Sequence, residues 1–289
     1  MGADLDLLER HEIPVREVSA LAVTGTPGGG TLLAAIGDAG PELAVAPVDA
    51  GGELGPWETV NLDAFERAAD VPRIRQSEAL AFDGAGTAVV LLEQPALAVL
   101  IDTRARRLAG TFGLDGSGLP GRVGERWSAD PSSRGEGVLL LRGGRVLVAK
   151  EKRPAGLIEF GPAGAAAGGI GPDTILGAGE AWEAPAPGAA LAALAWWEGP
   201  DGLDDLSDLA AAPDGSVHAL SDQSRSLGRL ALPLGPEAAS APATAIWALP
   251  KKVGKAEGLA FLPGGRIAIA GDRQDPGPNL AILAAPPGP

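Results

Sequence analysis

Acidic residues stand at two fixed places in a pattern that recurs along this chain. Its copies read SALAVTGTPGGGTLLAAIGD (19–38), EALAFDGAGTAVVLLE (78–93), EGVLLLRGGRVLVAKE (136–151), SDLAAAPDGSVHALSD (207–222) and EGLAFLPGGRIAIAGD (257–272). The openings carry Ser19, Glu78, Glu136, Ser207 with Asp208, and Glu257, and the closings carry Asp38, Glu93, Glu151, Asp222 and Asp272. Carboxylates brought together repel and raise one another's pKa unless something neutralises them. A divalent cation is one neutraliser. Ca²⁺ takes six to eight oxygen ligands in irregular geometry, and Glu93, Asp208, Asp222 and Asp272 are its candidate ligands. A cation there polarises an ester and activates water, with Glu136, Glu151 and Glu257 as the catalytic carboxylates. The other neutraliser is internal. Arg75, Arg134, Lys150, Lys152, Arg153, Arg225, Lys255 and Arg273 all lie within a few residues of an acid. Arg75, Glu78, Lys150, Lys152, Arg153 and Lys255 are the candidate ligand-binding residues, suited to an anionic group. A network of ion pairs and strand-end caps with no ligand is the competing reading.

Positioning these residues takes a hairpin in each copy. Two short apolar runs flank a glycine-bearing turn, so the start of the first strand and the end of the second share one end of the hairpin. A third apolar run follows each copy (ELAVAPVDA, ALAVLIDT, GLIEF, LGRLALP, NLAILAAP), and a fourth follows some (PWETVNL, RRLAGTFGL, ATAIWALP). In the third copy AWEA and ALAALAWW compete for that place. Repeats of ~40–60 residues, each a four-stranded antiparallel sheet, are the signature of a β-propeller. The expected fold is all-β, one propeller over residues 1–289 with its acids at one axial mouth. Five blades are expected, or six if the Gly/Ala/Pro-rich stretch 161–200 hides a degenerate copy. The N-terminal EIPVREV (12–18) is expected to supply the fourth strand of the last blade and so remove an exposed edge.

Composition excludes several classes. The formal charge of −14 argues against nucleic acid and anionic membranes as partners. The absence of cysteine excludes disulfides and thiolate chemistry, and two histidines, His11 and His218, leave little for a zinc site. The N-terminus has no apolar signal region, and the uncharged run 184–197 is too short to span a bilayer. A cytoplasmic monomer acting on a small anionic molecule is expected. His218 reads as a core histidine rather than a base, and the Trp196–Trp197 pair as packing rather than a stacking platform. GPDGLDDLSD (199–208) lacks the spacing of an EF-hand loop.

The stretches EGVLLLRGGRVLVAKEKRPAGLIEF, LSDLAAAPDGSVHALSDQSRSLGRLAL and AEGLAFLPGGRIAIAGD resemble the SdiA-regulated propellers and the related phytase-like proteins described as esterase-like. The resemblance covers roughly residues 130–275. It implies a propeller with a polar axial mouth that binds Ca²⁺, and the matching positions are Glu136, Lys150, Glu151, Asp208, Asp222, Ser224 and Glu257. Ser224 joins the candidate ligand-binding residues on this ground. The first copy departs from the pattern with Ser19 in place of Glu. The function expected is divalent-cation-dependent hydrolysis of phosphate or carboxylic esters. The alternative is a non-catalytic propeller that binds a small molecule or a protein.

Overall fold

In a computed structural model the described residues are 4–287, apart from 27, 96, 131–133, 178 and 276. Strand β1 (Leu7–His11) is followed by β2–β5 (Val18–Gly25, Thr31–Gly37, Glu42–Val48, Glu58–Asn61) and a short β6 (Glu66–Arg67). Next come β7–β10 (Ser77–Phe82, Thr87–Leu92, Leu97–Asp102, Arg107–Asp115) and the α-helix α1 (Gly121–Ala129). The remaining strands are β11–β14 (Gly137–Leu141, Arg145–Lys150, Gly156–Pro162, Ala190–Glu198), β15–β18 (Asp208–Ala211, Val217–Ser221, Ser226–Leu230, Ala243–Ala248) and β19–β21 (Lys255–Phe261, Ile267–Asp272, Leu280–Leu283). The chain is all-β. Each repeat forms an antiparallel meander, β2–β5, β7–β10, β11–β14 and β15–β18, and β19–β21 are joined by β1 through its pairing with β21. Parallel pairing of Gly113–Asp115 with Ala190–Ala192 links the second and third meanders along their outer strands.

The hairpins form where the glycine turns require them. Between β11 and β12, Gly143 and Gly144 have φ of 72° and 67°, a region open to glycine at little steric cost. Between β7 and β8 the Asp83 carboxylate does the same work by accepting the N–H groups of Ala85 (2.9 Å) and Thr87 (2.7 Å).

The unbroken apolar runs are explained by packing on both faces. In β8, Ala88, Val90 and Leu92 lie in one apolar layer with Ala34 and Ile36 of β3, while Val89 and Leu91 lie in another with Val146 and Val148 of β12. Successive side chains of a strand point to opposite faces, so a strand between two neighbours is apolar at every position. Similar layers separate the third meander from the fourth, the fourth from β19–β21, and β19–β21 from the first. The first strands are neighbours in the same order, with β2 against both β7 and β19, β11 against β7 and β15, and β15 against β19.

Three details differ from the sequence expectation or resolve it. The strand paired with β21 is LLERH (7–11), not EIPVREV (12–18). Pro14 lacks the N–H a ladder needs, and residues 12–17 lead from β1 to β2 instead, with the Ile13 N–H donating to Asn279 Oδ1 at 2.7 Å. The fourth strand of the third meander is ALAALAWWE, and AWEA lies before it. Residues 163–189 hold no further sheet among the described residues, only the isolated bridges Leu141–Ile175 and Ile170–Leu234.

That long loop is tied down by one buried acid. Glu159 of β13 is fully buried, pairs with the Arg145 guanidinium, and accepts the N–H groups of Gly168 and Gly169, each at 2.9 Å. Removing one partner of a buried pair leaves the other uncompensated, at a cost of ~3–5 kcal/mol. Glu159→Ala is therefore expected to lower unfolding stability by about that much in urea titration. A loss below ~1 kcal/mol would show that the loop holds itself.

Candidate functional site

The acids at the hairpin ends come together. Each first strand begins, and each second strand ends, at the same side of its meander, and the acids there interact electrostatically from one meander to the next. Glu78 feels Glu93, Asp38 and Glu257; Glu136 feels Glu78, Glu151 and Glu257; and Glu257 feels Asp222 and Asp272. Glu78 and Glu136 share a hydrogen bond, as do Asp38 and Glu17. A hydrogen bond between two carboxyl groups requires a proton on one of them.

Proton affinities follow from this crowding. Burial first, then Glu93, Asp38 and Glu257, push Glu78 up to about 8. Burial raises Glu257 to about 7 despite the Lys255 ammonium beside it. Burial, with Glu17 and Asp272 adding, raises Asp38 to about 6. Glu136 is raised well above the usual carboxylate range, again by burial and then by Glu78 and Glu151.

Few cations answer these acids. Lys152 pairs with Glu151, and Lys255 bridges Glu257 Oε1 (2.7 Å) and Asp272 Oδ2 (3.0 Å). The other expected neutralisers turn elsewhere. Arg75 pairs with Asp63 at 3.3 Å and donates to its neighbour's carbonyl at Ile74, and Arg134 donates to the Trp127 and Ser128 carbonyls. Arg225 is spent on the Pro250 and Val253 carbonyls and Arg273 on that of Pro278. Arg153 is exposed. Lys150 is wholly buried; its ammonium donates to the Lys152 carbonyl, and burial lowers its pKa to about 8. Arg134, Arg225 and Arg273 are thus held by nearby carbonyls instead, and among the described residues three buried carboxylate oxygens have no hydrogen-bond partner: Asp38 Oδ1, Glu151 Oε2 and Asp272 Oδ1.

Three further candidates have settled partners. Ser224 Oγ accepts the Asp204 N–H at 2.7 Å and so caps a loop. Asp222 Oδ1 accepts the Ala256 N–H at 2.9 Å, tying the fourth meander to β19. Asp208, expected as a metal ligand, lies below the mouth rather than in it. The residue after the opening Ser or Glu of each copy is Ala20, Ala79, Gly137 or Gly258, and Asp208 takes that place after Ser207. Space there is short: a Cβ on Gly137 would lie 2.6 Å from the Leu209 nitrogen, and one on Gly258 would lie 2.9 Å from that of Leu21. The Asp208 carboxylate accepts the N–H groups of Leu209 and Leu259, each at 2.7 Å, and that of Leu21. Its oxygens are thereby committed to the backbone of three neighbouring strands. Burial raises its pKa well above the usual value against the pull of those three donors.

His218 lies in the core layer between β16 and β19, 4.6 Å from the Phe261 ring and 6.0 Å from that of Trp247, and burial lowers its pKa to about 4. Trp197 is buried, with its indole N–H donating to the Gly235 carbonyl at 2.9 Å.

Sequence reasoning missed a cleft that opens beside the mouth. It is narrow, with a cavity volume of about 20 Å³, and is lined by Glu78, Glu93 and Glu136, by Leu91, Leu92, Leu97 and Leu114, and by Trp127, Arg134 and Gly135. Helix α1 supplies Trp127, which packs 5.3 Å from the Phe160 ring while the Arg134 guanidinium lies 5.8 Å from its own. The only signal in the sequence was the i, i+4 spacing of Val123 and Trp127, both buried.

Among the described residues no three His, Asp or Glu side chains are arranged to hold a metal ion. No helix among them is long and apolar enough to cross a membrane.

No protein-family model matches the chain, and no curated protein does. Solved structures do. A calcium-binding protein, regucalcin, from Agrobacterium tumefaciens is 12% identical, with 98% of this chain and 95% of that one covered at a TM-score of 0.50. The glutaminyl cyclase of Myxococcus xanthus is 11% identical, with 96% and 94% covered at 0.50. A streptogramin B lyase is 10% identical, with 97% and 72% covered at 0.42. At these identities the likeness is one of fold, and the fold is that of a β-propeller.

Proposed function

We propose that the chain is a five-bladed β-propeller over residues 1–289, closed by the pairing of β1 with β21, and that its acidic mouth is the active site of a divalent-cation-dependent esterase. The reading of blade number and closure rests on the cyclic order of the first strands and of the apolar layers between meanders. The SdiA-regulated and phytase-like resemblance of residues 130–275 agrees with it.

The excess of carboxylates over cations at the mouth carries the functional reading. Among the described residues Lys152 and Lys255 are its only paired ammonium groups, and oxygens of Asp38, Glu151 and Asp272 lack partners. Such oxygens are the donor set of a hard cation. We assign the cation, Ca²⁺ in the first instance, to Glu151, Asp272 and Asp38, with Glu93 and Asp222 completing the acidic rim. Among the described residues these carboxylates do not converge on one point as they stand, so holding the cation would require them to move. The calcium-binding regucalcin neighbour supports this choice of ion.

A bound divalent cation supplies Lewis-acid polarisation of an ester oxygen. The chain's own groups supply the proton transfers. Glu257, raised to about 7, is substantially ionised just above neutrality and takes the proton of the attacking water. Glu78, raised to about 8 and hydrogen-bonded to Glu136, still carries a proton at that pH and gives it to the departing alkoxide. Water adds to the carbonyl carbon, the ester C–O bond breaks, and the products are an acid and an alcohol. The same groups could serve a phosphate ester, whose negative charge a bound cation would offset in place of Arg75 and Arg153.

Initial rates on 4-nitrophenyl esters and 4-nitrophenyl phosphate, with calcium or with chelator, test this. The expected result is calcium-dependent turnover with a pH optimum between about 7 and about 8, bounded by Glu257 and Glu78. Calcium binding with no turnover on either substrate class would instead make the mouth a binding module.

A further inference from the structure

We propose that a basic pocket at one end of β20, beside Asp272, binds the phosphate group of a small organic molecule. The inference stands apart from the esterase reading, which uses none of the cations that build the pocket.

Strand register builds it. Ile269 and Gly271 lie on one face of β20, and Arg273 follows at the next alternate place, just beyond the strand. Ile269 is paired with Ala281 of β21, and Ala281 with Arg10 of β1. Residues directly opposite in a sheet share a face, so Arg10 and Arg273 rise from the same one. Gly271 has no side chain to fill the space on that face. Residues 252–254, which lead into β19, add Lys252. The cavity measures about 180 Å³, and its apolar lining comes from Val253, Ile269, Leu280 and Ala281, all buried.

Charge is the second argument. Arg10, Lys252 and Arg273 line the cavity, and no carboxylate does. Among the described residues none of the three forms an ion pair, and acids beside them in sequence are engaged elsewhere. Glu9 holds Arg266 and His11, each at 3.0 Å, and Asp272 Oδ2 holds Lys255 at 3.0 Å. In a chain of net charge −14, a cavity lined by cations alone runs against the sign of the whole.

Geometry is the third. Arg10 Nη2 and Arg273 Nη1 donate to one acceptor, the Pro278 carbonyl, at 3.3 and 3.2 Å. That bond sets the two guanidinium groups side by side and uses only one N–H donor of each. Like charges so placed repel, and an anion received between them removes the repulsion. Guanidinium forks match the oxygens of phosphate, and three positive charges suit a dianion better than a single carboxylate. The volume lies below the ~300–1,000 Å³ of drug-sized sites, so it holds a phosphate with the first atoms of its organic body against the apolar lining.

Isothermal titration calorimetry on the intact chain in chelator, at about pH 7.5 where phosphate monoesters are mostly dianions, compares phenyl phosphate, inorganic phosphate and benzoate. Chelator makes the result independent of any cation at the mouth. Phenyl phosphate is expected to bind about threefold or more tightly than inorganic phosphate, because its ring covers apolar surface. It is expected to bind about tenfold more tightly than benzoate, which carries less charge. Arg10→Gln and Arg273→Gln are each expected to weaken phenyl phosphate about tenfold. Lys252→Gln, at a fully solvated position, is a further variant expected to weaken it about threefold. No binding by the wild type, or binding that both arginine variants leave within about twofold, overturns the pocket. Benzoate as tight as phenyl phosphate overturns the choice of phosphate over carboxylate. Inorganic phosphate as tight as phenyl phosphate overturns the organic body and makes free phosphate the ligand.

Discussion

Asp208→Ala is expected to be the most destabilising single change in the protein. The carboxylate accepts N–H groups from Leu209, Leu259 and Leu21, and so ties β15, β19 and β2 together where the first strands meet. Alanine fits the space, because Ala20 and Ala79 occupy the equivalent places, so the loss is one of hydrogen bonds rather than packing. Each buried donor left unsatisfied costs ~1–3 kcal/mol, and three together put the loss at ~3–9 kcal/mol. Asp208→Asn keeps one oxygen but turns an NH₂ group toward backbone donors, and is expected to lose ~2–4 kcal/mol. Urea unfolding measures both. Equal stability of wild type and Asp208→Ala would mean that these contacts are dispensable to the axis.

Glu136→Gln is expected to separate stability from catalysis. Glu136 is buried among Glu78, Glu151 and Glu257, and its raised pKa means that the fold disfavours its ionised form. An acid whose pKa is higher folded than unfolded binds more protons in the native state. Its contribution is intact below the unfolded value and is lost as pH rises toward the folded one. For Glu78 that window runs from its ordinary value of 4.5 to about 8, for Glu257 from 4.5 to about 7, and for Asp38 from 3.8 to about 6. Stability without a cation is therefore expected to fall from pH 5 to pH 8.5. Glutamine at 136 cannot ionise in the unfolded chain, so it removes this acid's share of that fall and should make the fall shallower, raising stability at pH 8.5 relative to wild type. The same change replaces the carboxyl proton that Glu136 donates toward Glu78 and so alters the proton affinity of the acid, and turnover is expected to drop by ~10²–10⁴. A variant less stable than wild type at pH 8.5 would show that Glu136 is neutralised in some other way.

Much of the architecture is legible in the sequence, because one short pattern carries both the turn and the acid. Gly143 and Gly144 mark the turn and Glu151 the strand end, and the register of β11 on β12 follows from them. The N-terminal strand is misread by five residues because EIPVREV is the more apolar segment, and the proline within it decides the matter. Arg75, Arg134, Arg225 and Arg273 are misread for another reason. Sequence proximity says that an arginine can reach an acid, but not that a carbonyl lies closer. Helix α1, with its short Arg- and Gly-bearing sequence, gives only the Val123–Trp127 spacing as a sign, and the cleft that depends on it stays hidden. Asp208 shows how the pattern itself can be read more closely. It stands where other copies have Ala or Gly, one place after the Ser or Glu that faces the mouth, and so belongs to the crowded interior rather than the ring of acids.

The central claim is that the mouth is an acid-rich cation site, and thermal unfolding as a function of pH tests it most directly. Tm is measured from pH 5 to pH 8.5 in chelator and in millimolar calcium, with magnesium and manganese in parallel. The account predicts that Tm in chelator falls as pH rises, and that calcium restores it at pH 8.5 while changing little at pH 5, where protons already neutralise Asp38, Glu78 and Glu257. A Tm at pH 8.5 that is the same in chelator and in all three cations would contradict it.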